Sequence, residues 1–361
     1  VTFIPRRTAR AAAAALLLAV TLVLTGRATT AQQKTASCDV QTTERIVAVG
    51  DVHGAFDKFV AILREAGVID NRRRWAGGRT IFVQTGDIVD RGPDSREALD
   101  LLRRLETEAE RAGGRVYALV GNHEVMRMLN QRAYVSATEF EKFRSNDADA
   151  LREAAWGIVV KQAAEQSRKL GQDFDERAFR KLFLQDNPLG GVEMQIAFAA
   201  TGDYGKWLRE HDAMVKINGV VFLHGGISPA VAALGCAAVN AQVRAEMKLP
   251  GPPPEPEKAL TTGPDGPLWY RGLVDGNPAV GQPEVDAILK QLDARAIVVG
   301  HTAAPDYKIR ASFDGKVVQI DTGMLGGKFF PGGAPSALEI AGGTFTAIYE
   351  GRREVLLPSG K

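Results

Sequence analysis

Six short runs of apolar, mostly β-branched residues punctuate the chain: Arg45–Val49, Thr80–Gln84, Arg115–Val120, Gly219–Leu223, Ala296–Val299 and Val317–Ile320. Their hydrophobicity is continuous rather than alternating, which predicts strands buried on both faces. Each run is followed within three residues by a glycine accompanied by Asp, His or Asn. Between several of them the apolar spacing turns helical, over Ala55–Glu65, Ser95–Arg111 and Pro283–Leu292. Strand, polar loop, helix, strand is α/β order, and it puts polar side chains on loops at the ends of rigid strands. Two more strand-like runs, Phe345–Glu350 and Glu354–Leu357, flank Gly351 near the C-terminus.

Two stretches interrupt this alternation. Ser136–Leu184 is polar and mostly helical in pattern, and opens with Ser136 and Glu139 at capping-box spacing. Phe140, Phe143, Trp156, Phe179 and Phe183 are its expected inward residues, and the stretch reads as a helical cap inserted between two core strands. Pro250–Pro267 is proline-rich and aperiodic, which predicts a surface loop. No internal repeat is visible.

Residues 1–31 differ from the rest. Arg6, Arg7 and Arg10 precede an apolar run from Ala11 to Leu24, and Thr29-Thr30-Ala31 supplies small residues for cleavage. This is the pattern of a secretory signal peptide, so a single domain over 32–361 is expected in the periplasm or outside the cell. The apolar run is 14 residues long, short of the ~20 needed to span a bilayer. No stable membrane insertion is therefore expected after cleavage.

Composition narrows the class. Of 361 residues 45% are hydrophobic and 24% charged, which excludes a disordered chain, a collagen and a coiled coil. Without residues 1–31 the charge balance is 41 basic against 43 acidic side chains. No basic tract of the kind that neutralises nucleic-acid phosphates remains, so nucleic acid is not an expected partner. Cys38 and Cys236 either pair, as an oxidising compartment allows, or Cys236 is simply a small buried residue.

The five histidines carry the chemistry. Four stand beside glycines at strand ends: His53 in Gly50-Asp51-Val52-His53-Gly54, His123 in Gly121-Asn122-His123-Glu124, His224 in His224-Gly225-Gly226, and His301 in Gly300-His301-Thr302. His211, beside Asp212 in a helical stretch, is expected to be solvated. A lone histidine at a strand end is usually structural; four of five in such places reverse that expectation. With Gly86-Asp87-Ile88-Val89-Asp90-Arg91-Gly92, the set Asp51, His53, Asp87, Asn122, His224 and His301 offers mixed oxygen and nitrogen ligands. That mixture suits Mn, Fe or Zn, and six ligands suit two metals, with Asp87 the expected bridge. Two such ions clamp an in-line displacement and acidify a water shared between them.

The motifs GDxHG, GDxVDRG, GNHE and HGG occur in that order. The chain resembles the phosphoprotein phosphatase family of metallophosphoesterases over roughly residues 45–325. The resemblance implies an α/β, calcineurin-like four-layer α/β/β/α sandwich that hydrolyses phosphate monoesters of proteins or small molecules. It assigns Asp51, His53 and Asp87 to one metal and Asp87, Asn122, His224 and His301 to the other. It makes His123 the general acid for the leaving oxygen, with Asp90 orienting it. Arg91 and Arg271, whose guanidinium forks match phosphate oxygens, are assigned to the phosphoryl group.

The departures from the family pattern are informative. The Ser-Ala-Pro-Asn-Tyr segment of eukaryotic Ser/Thr phosphatases is replaced by Ile320-Asp321-Thr322-Gly323-Met324, so the tyrosine that covers their metals is not evident. The chain is more similar to the Shewanella-like branch, which is associated with protein tyrosine and small phosphoester substrates. Asp321 either reaches the metal shell or is satisfied by backbone. A symmetrical dinucleoside tetraphosphatase is the alternative enzyme, against which the leader counts. A non-catalytic phosphate-binding module is the remote alternative, against which the intact ligand set counts.

Overall fold

A computed structural model of the chain describes residues 38–276 and 279–359; the expected leader lies outside them. All six expected core strands form. The described residues hold twelve strands: β1 (Asp39–Val40), β2 (Ile46–Val49), β3 (Ile81–Gln84), β4 (Arg115–Ala118), β5 (Met214–Ile217), β6 (Val220–Leu223), β7 (Ala296–Val299), β8 (Arg310–Ser312), β9 (Val317–Gln319), β10 (Ser336–Ala341), β11 (Thr344–Tyr349) and β12 (Arg352–Leu357). They form two six-stranded mixed sheets, ordered β12-β11-β10-β2-β3-β4 and β1-β5-β6-β7-β9-β8. In the first, β2, β3 and β4 are parallel neighbours. In the second, β6, β7 and β9 are.

Alternate residues explain the layering. Ile46, Ala48, Ile81 and Val83 of the first sheet share one buried cluster with Val215, Ile217, Phe222 and Val298 of the second. The intervening residues face outward onto helices. Phe82 meets Phe59 of the helix Phe56–Glu65, with ring centroids 6.5 Å apart. Val221, Leu223, Ile297 and Val299 pack with Val239 and Val243 of the helix Cys236–Met247 and with Val285 and Ile288 of Gln282–Leu292. The result is helix, sheet, sheet, helix, as the motifs implied. No helix among the described residues is long and apolar enough to cross a membrane.

Four strands escape a reading based on apolar runs. Strands β1 and β8 are only two and three residues long. β10 reads Ser-Ala-Leu-Glu-Ile-Ala, poor in β-branched residues. β5 carries Lys216 in its middle, yet Lys216 is buried, its ammonium 2.7 Å from Asp39 and donating to the Leu292 and Asp293 carbonyls at 3.1 Å. Gly219, expected to open a strand, instead pairs with Asn218 in the turn joining β5 to β6, where the two take φ of 73° and 50° as a tight hairpin requires.

The insertion is helical as expected but longer, with helices Ala137–Phe143, Ala148–Lys169, Glu176–Asp186 and Gly191–Phe198. Residues 140–197 form a compact unit of their own, in which Trp156 packs on Phe179 and Phe183 at 5.7 and 5.3 Å. Only half of the capping box forms. Ser136 Oγ accepts from Glu139 N–H at 3.1 Å, while the Glu139 carboxylate turns to Arg127.

The Pro-rich stretch has no regular structure, as expected, but it is not purely a surface loop. Leu260 belongs to the core, and the Glu246 carboxylate accepts from Leu260 N–H, Thr261 N–H and Thr261 Oγ–H at 3.1, 2.8 and 2.7 Å. These bonds satisfy the backbone that burial would otherwise orphan. Nor is His211 solvated: its ring lies edge-on to Trp207 at 4.3 Å, and Nε2 is 3.5 Å from Glu106. Cys38 and Cys236 are joined in a disulfide, their Cα atoms 6.1 Å apart, which ties β1 to the start of the helix Cys236–Met247.

Candidate metal centre

The ends of the parallel strands meet. His301 N–H donates to Asp51 Oδ1 at 2.9 Å, joining β7 to β2. His224 Nδ1 lies 3.0 Å from the Thr85 carbonyl, joining β6 to β3. The loops that turn away from these strands are forced. His53, Asp87, Asp90, Arg91 and His301 all take positive φ, at 48°, 56°, 75°, 67° and 63°. Each such non-glycine residue costs about 1–3 kcal/mol and persists only where its surroundings over-determine it.

Glu124 is the main restraint. Its Oε2 accepts from Asp87 N–H and Gly121 N–H, and its Oε1 from Ile88 N–H, all at 2.8 Å, with Val89 N–H at 3.3 Å. One buried carboxylate thus fastens the loop after β3 to the helix Asn122–Met128. The two loops lie so close that a Cβ on Gly86 would stand 2.5 Å from Gly121 N, and one on Gly121 2.5 Å from Asp87 N. Both motif glycines are required by this approach.

Two clusters of potential ligand atoms result, His53–Asp87–His123 and Asp87–His224–His301, each within 4.8 Å. They share Asp87, the residue expected to bridge. His53 Nε2 is 3.7 Å from both Asp51 Oδ2 and Asp87 Oδ2. His224 Nε2 is 2.9 Å from Asn122 Oδ1, 3.1 Å from His301 Nδ1 and 3.3 Å from Asp87 Oδ1. All six expected ligands are therefore brought together, and the general-acid candidate His123 is itself a member of the first cluster.

The donor set fits metal ions. Val89 and Thr85 carbonyls engage Nδ1 of His53 and His224, which leaves both Nε2 lone pairs facing inward. His224 Nε2 stands close to three other ligand-type atoms, and although burial opposes its imidazolium, the Asp87 charge and hydrogen bond hold its pKa above the ordinary value. Asp51 Oδ2 is buried without a hydrogen-bond partner. Burial, then repulsion from Asp321 and Asp87, pushes the Asp51 carboxyl well above its usual range. Burial pushes His53 down to about 3 and, with His224 beside it, His301 down to about 2. Both are neutral at pH 7, the form that binds metal. Asp321 Oδ1 accepts from Gly323 N–H at 2.8 Å, so this carboxylate is satisfied by backbone while its charge acts on Asp51.

Around this centre lie the remaining candidates. His123 Nδ1 is 2.5 Å from Asp90 Oδ2. Burial opposes the imidazolium of His123, but Asp87 and the bond to Asp90 outweigh it and hold the pKa above its ordinary value. Arg91 Nη1 donates to His53 Nε2 at 2.8 Å, and Nη2 is 3.4 Å from His123 Nε2. Arg271 is exposed, its Nη1 held by Thr302 Oγ1 at 2.7 Å and the His301 carbonyl at 3.2 Å. Two aromatic rings that no sequence pattern singled out flank Arg91: Tyr134 at 5.6 Å and Phe330 at 5.3 Å from its guanidinium carbon. Tyr134 also lies 5.1 Å from the His123 ring, and Phe330 stacks over His53 at 6.1 Å.

Residues 44–305 match the calcineurin-like phosphoesterase family. The chain belongs to that family, and it is a metal-dependent phosphoester hydrolase. Within it the chain falls in the Shewanella-like branch of the phosphoprotein phosphatases. It is 28% identical over 284 residues to Shewanella-like protein phosphatase 1 of Plasmodium berghei, covering 78% of this chain and 67% of the relative. It is 29% identical over 307 residues to Shewanella-like protein phosphatase 2 of Arabidopsis thaliana, covering 82% and 75%. The crystal structure of the cold-active protein-tyrosine phosphatase of a psychrophilic Shewanella species superposes with a TM-score of 0.66 at 26% identity, covering 88% of this chain and 82% of that one.

Proposed function

We propose that this enzyme removes phosphate from phosphotyrosine in proteins or peptides, outside the cytoplasm, using two ions drawn from Mn, Fe and Zn. Asp51, His53 and Asp87 would hold one ion, and Asp87, Asn122, His224 and His301 the other. When bound, the ions supply Lewis-acid charge and lower the pKa of a water toward ~7. Arg91 and Arg271 then grip the phosphoryl oxygens as planar forks. His123 gives its proton to the departing oxygen, and Asp90 fixes the ring so that Nε2 carries that proton toward the substrate.

The observation that carries this reading is the sharing of Asp87 by two histidine-containing clusters, one of which includes His123, itself paired with Asp90. The preference for an aryl ester rests on Tyr134 and Phe330. They supply apolar faces on either side of Arg91, where a phenol ring would lie and where a serine side chain offers nothing to stack. The name of the Shewanella enzyme, a protein-tyrosine phosphatase, agrees. Export rests on the leader pattern and is supported by the Cys38–Cys236 disulfide.

The test is metal reconstitution of stripped protein with each ion, with stoichiometry measured beside hydrolysis of phosphotyrosine and phosphoserine peptides and of diadenosine tetraphosphate. Two ions and a preference for the phosphotyrosine peptide are expected. Turnover of the dinucleotide alone would refute the monoesterase reading, and equal rates on the two peptides would refute the aromatic preference.

A further inference from the structure

Behind the His123–Asp90 pair lies a second, fully buried ion pair that the mechanism above does not use. Arg127 Nη2 donates to Asp90 Oδ1 and reaches Glu139 Oε1 at 3.3 Å. Asp90, Arg127 and Glu139 are 0%, 3% and 0% exposed. The sequence places His123 and Arg127 four residues apart on the helix Asn122–Met128, so both project from the same face. Asp90 therefore spends one carboxylate oxygen on each of them. Its own N–H donates to Ser95 Oγ at 3.2 Å, and its backbone is left-handed.

Arg127 is an expensive way to stabilise a fold. Its guanidinium is buried near the Phe198 ring at 5.9 Å, and neither Nε nor Nη1 has a protein acceptor. An apolar side chain of similar volume commonly fills such a place at no loss of stability. The nitrogen that is bonded is the one that reaches Asp90 and Glu139.

We infer that Arg127, held by Glu139, is a positioning residue that fixes Asp90 in the rotamer through which it orients the His123 ring. This rests on the reading of His123 as the acid for the leaving oxygen. Its consequence is selective: a protonated leaving group matters most for poor leaving groups, so Arg127 should govern alkyl and phenyl esters far more than activated aryl esters.

The experiment compares the wild type, His123→Asn, Arg127→Met and Arg127→Lys as metal-loaded full-length proteins, on phosphate esters graded from dinitrophenyl through phenyl to alkyl. Metal stoichiometry and thermal melts are read on the same samples. Arg127→Met is expected to keep two ions and an unchanged KM. It should lower kcat by about 10–100-fold on phenyl phosphate, within the range of acid–base catalysis, and scarcely at all on the dinitrophenyl ester. Arg127→Lys, which restores charge without the fork, should give an intermediate dependence on leaving group and decides the matter if Arg127→Met does not fold. A steep dependence in His123→Asn with a uniform loss, a KM effect or no effect in both Arg127 variants would overturn the positioning role alone. A flat dependence in His123→Asn would overturn the acid assignment and the positioning role together.

Discussion

Replacing Glu124 by glutamine changes one atom in a buried clamp, and the structure says how much should be lost. The carboxylate satisfies four backbone N–H groups, two on each oxygen. An amide has one oxygen. The better orientation keeps the Oε2 pair, Asp87 and Gly121, and turns the NH2 toward the N–H groups of Ile88 and Val89. A bond to a charged acceptor is worth about 1.5–3 kcal/mol, and the orphaned donors add to the loss. The weaker Val89 bond at 3.3 Å contributes less. Against this, burial and then the nearby Asp87 raise the Glu124 carboxyl above its usual range, so removing the charge offsets part of that loss. The net expectation is about 2–4 kcal/mol, a large part of the ~5–15 kcal/mol that holds a domain together. Urea or thermal unfolding of metal-free protein reads this directly. Metal stoichiometry should fall as well, because the loop so released carries Asp87 in left-handed backbone. Unchanged stability and unchanged metal binding would refute the idea that Glu124 holds the strained loops in place.

Other expectations are separable. Asp87→Asn should lose both ions, since each cluster depends on that carboxylate, and activity should fall by more than the about 10–100-fold typical of an outer partner; elemental analysis showing two retained ions would refute the bridge. Tyr134→Ala should lower kcat/KM on phosphotyrosine peptide relative to phosphoserine peptide by about 2–10-fold, the worth of one aromatic contact; an unchanged ratio would remove Tyr134 from specificity. Burial lifts Glu139 to about 7 from an ordinary 4.5, so the folded protein binds the extra proton between those values. Its contribution to stability is full below the ordinary value and lost as pH rises through about 7, a change of about 3 kcal/mol. The stability difference between metal-free wild type and Glu139→Gln should therefore shift by that amount across the window, and a difference flat with pH would contradict the burial effect.

The strands that carry the metal centre were legible because being buried on both faces leaves a plain signature, a short unbroken apolar run. The candidate ligands could be picked out because sharp turns at strand ends need glycine, and glycine beside Asp, His or Asn marks those turns. What could not be read were contacts made across the fold. Tyr134 and Phe330 lie 196 positions apart and meet only through Arg91. Glu139 was anticipated as a helix cap, and its local bond was outcompeted by a buried guanidinium. Lys216 disguised β5 because a single cation in a core strand is tolerated only when distant acceptors meet it. Arg127 was visible in principle, at helical spacing from His123, but nothing local distinguishes it from a surface arginine.

The Cys38–Cys236 bond has a consequence for proteolysis. It closes a covalent ring around Asp51, His53, Asp87, Asn122 and His224, and the helical unit of residues 140–197 lies within that ring. A protease that cuts any one bond in those helices therefore releases nothing. The two fragments stay joined, all six candidate ligands, His301 included, remain on one covalent framework, and a gel run without reductant shows a band of undiminished mass. Only reductant would separate the pieces, so nicked and intact enzymes are told apart on a reducing gel alone.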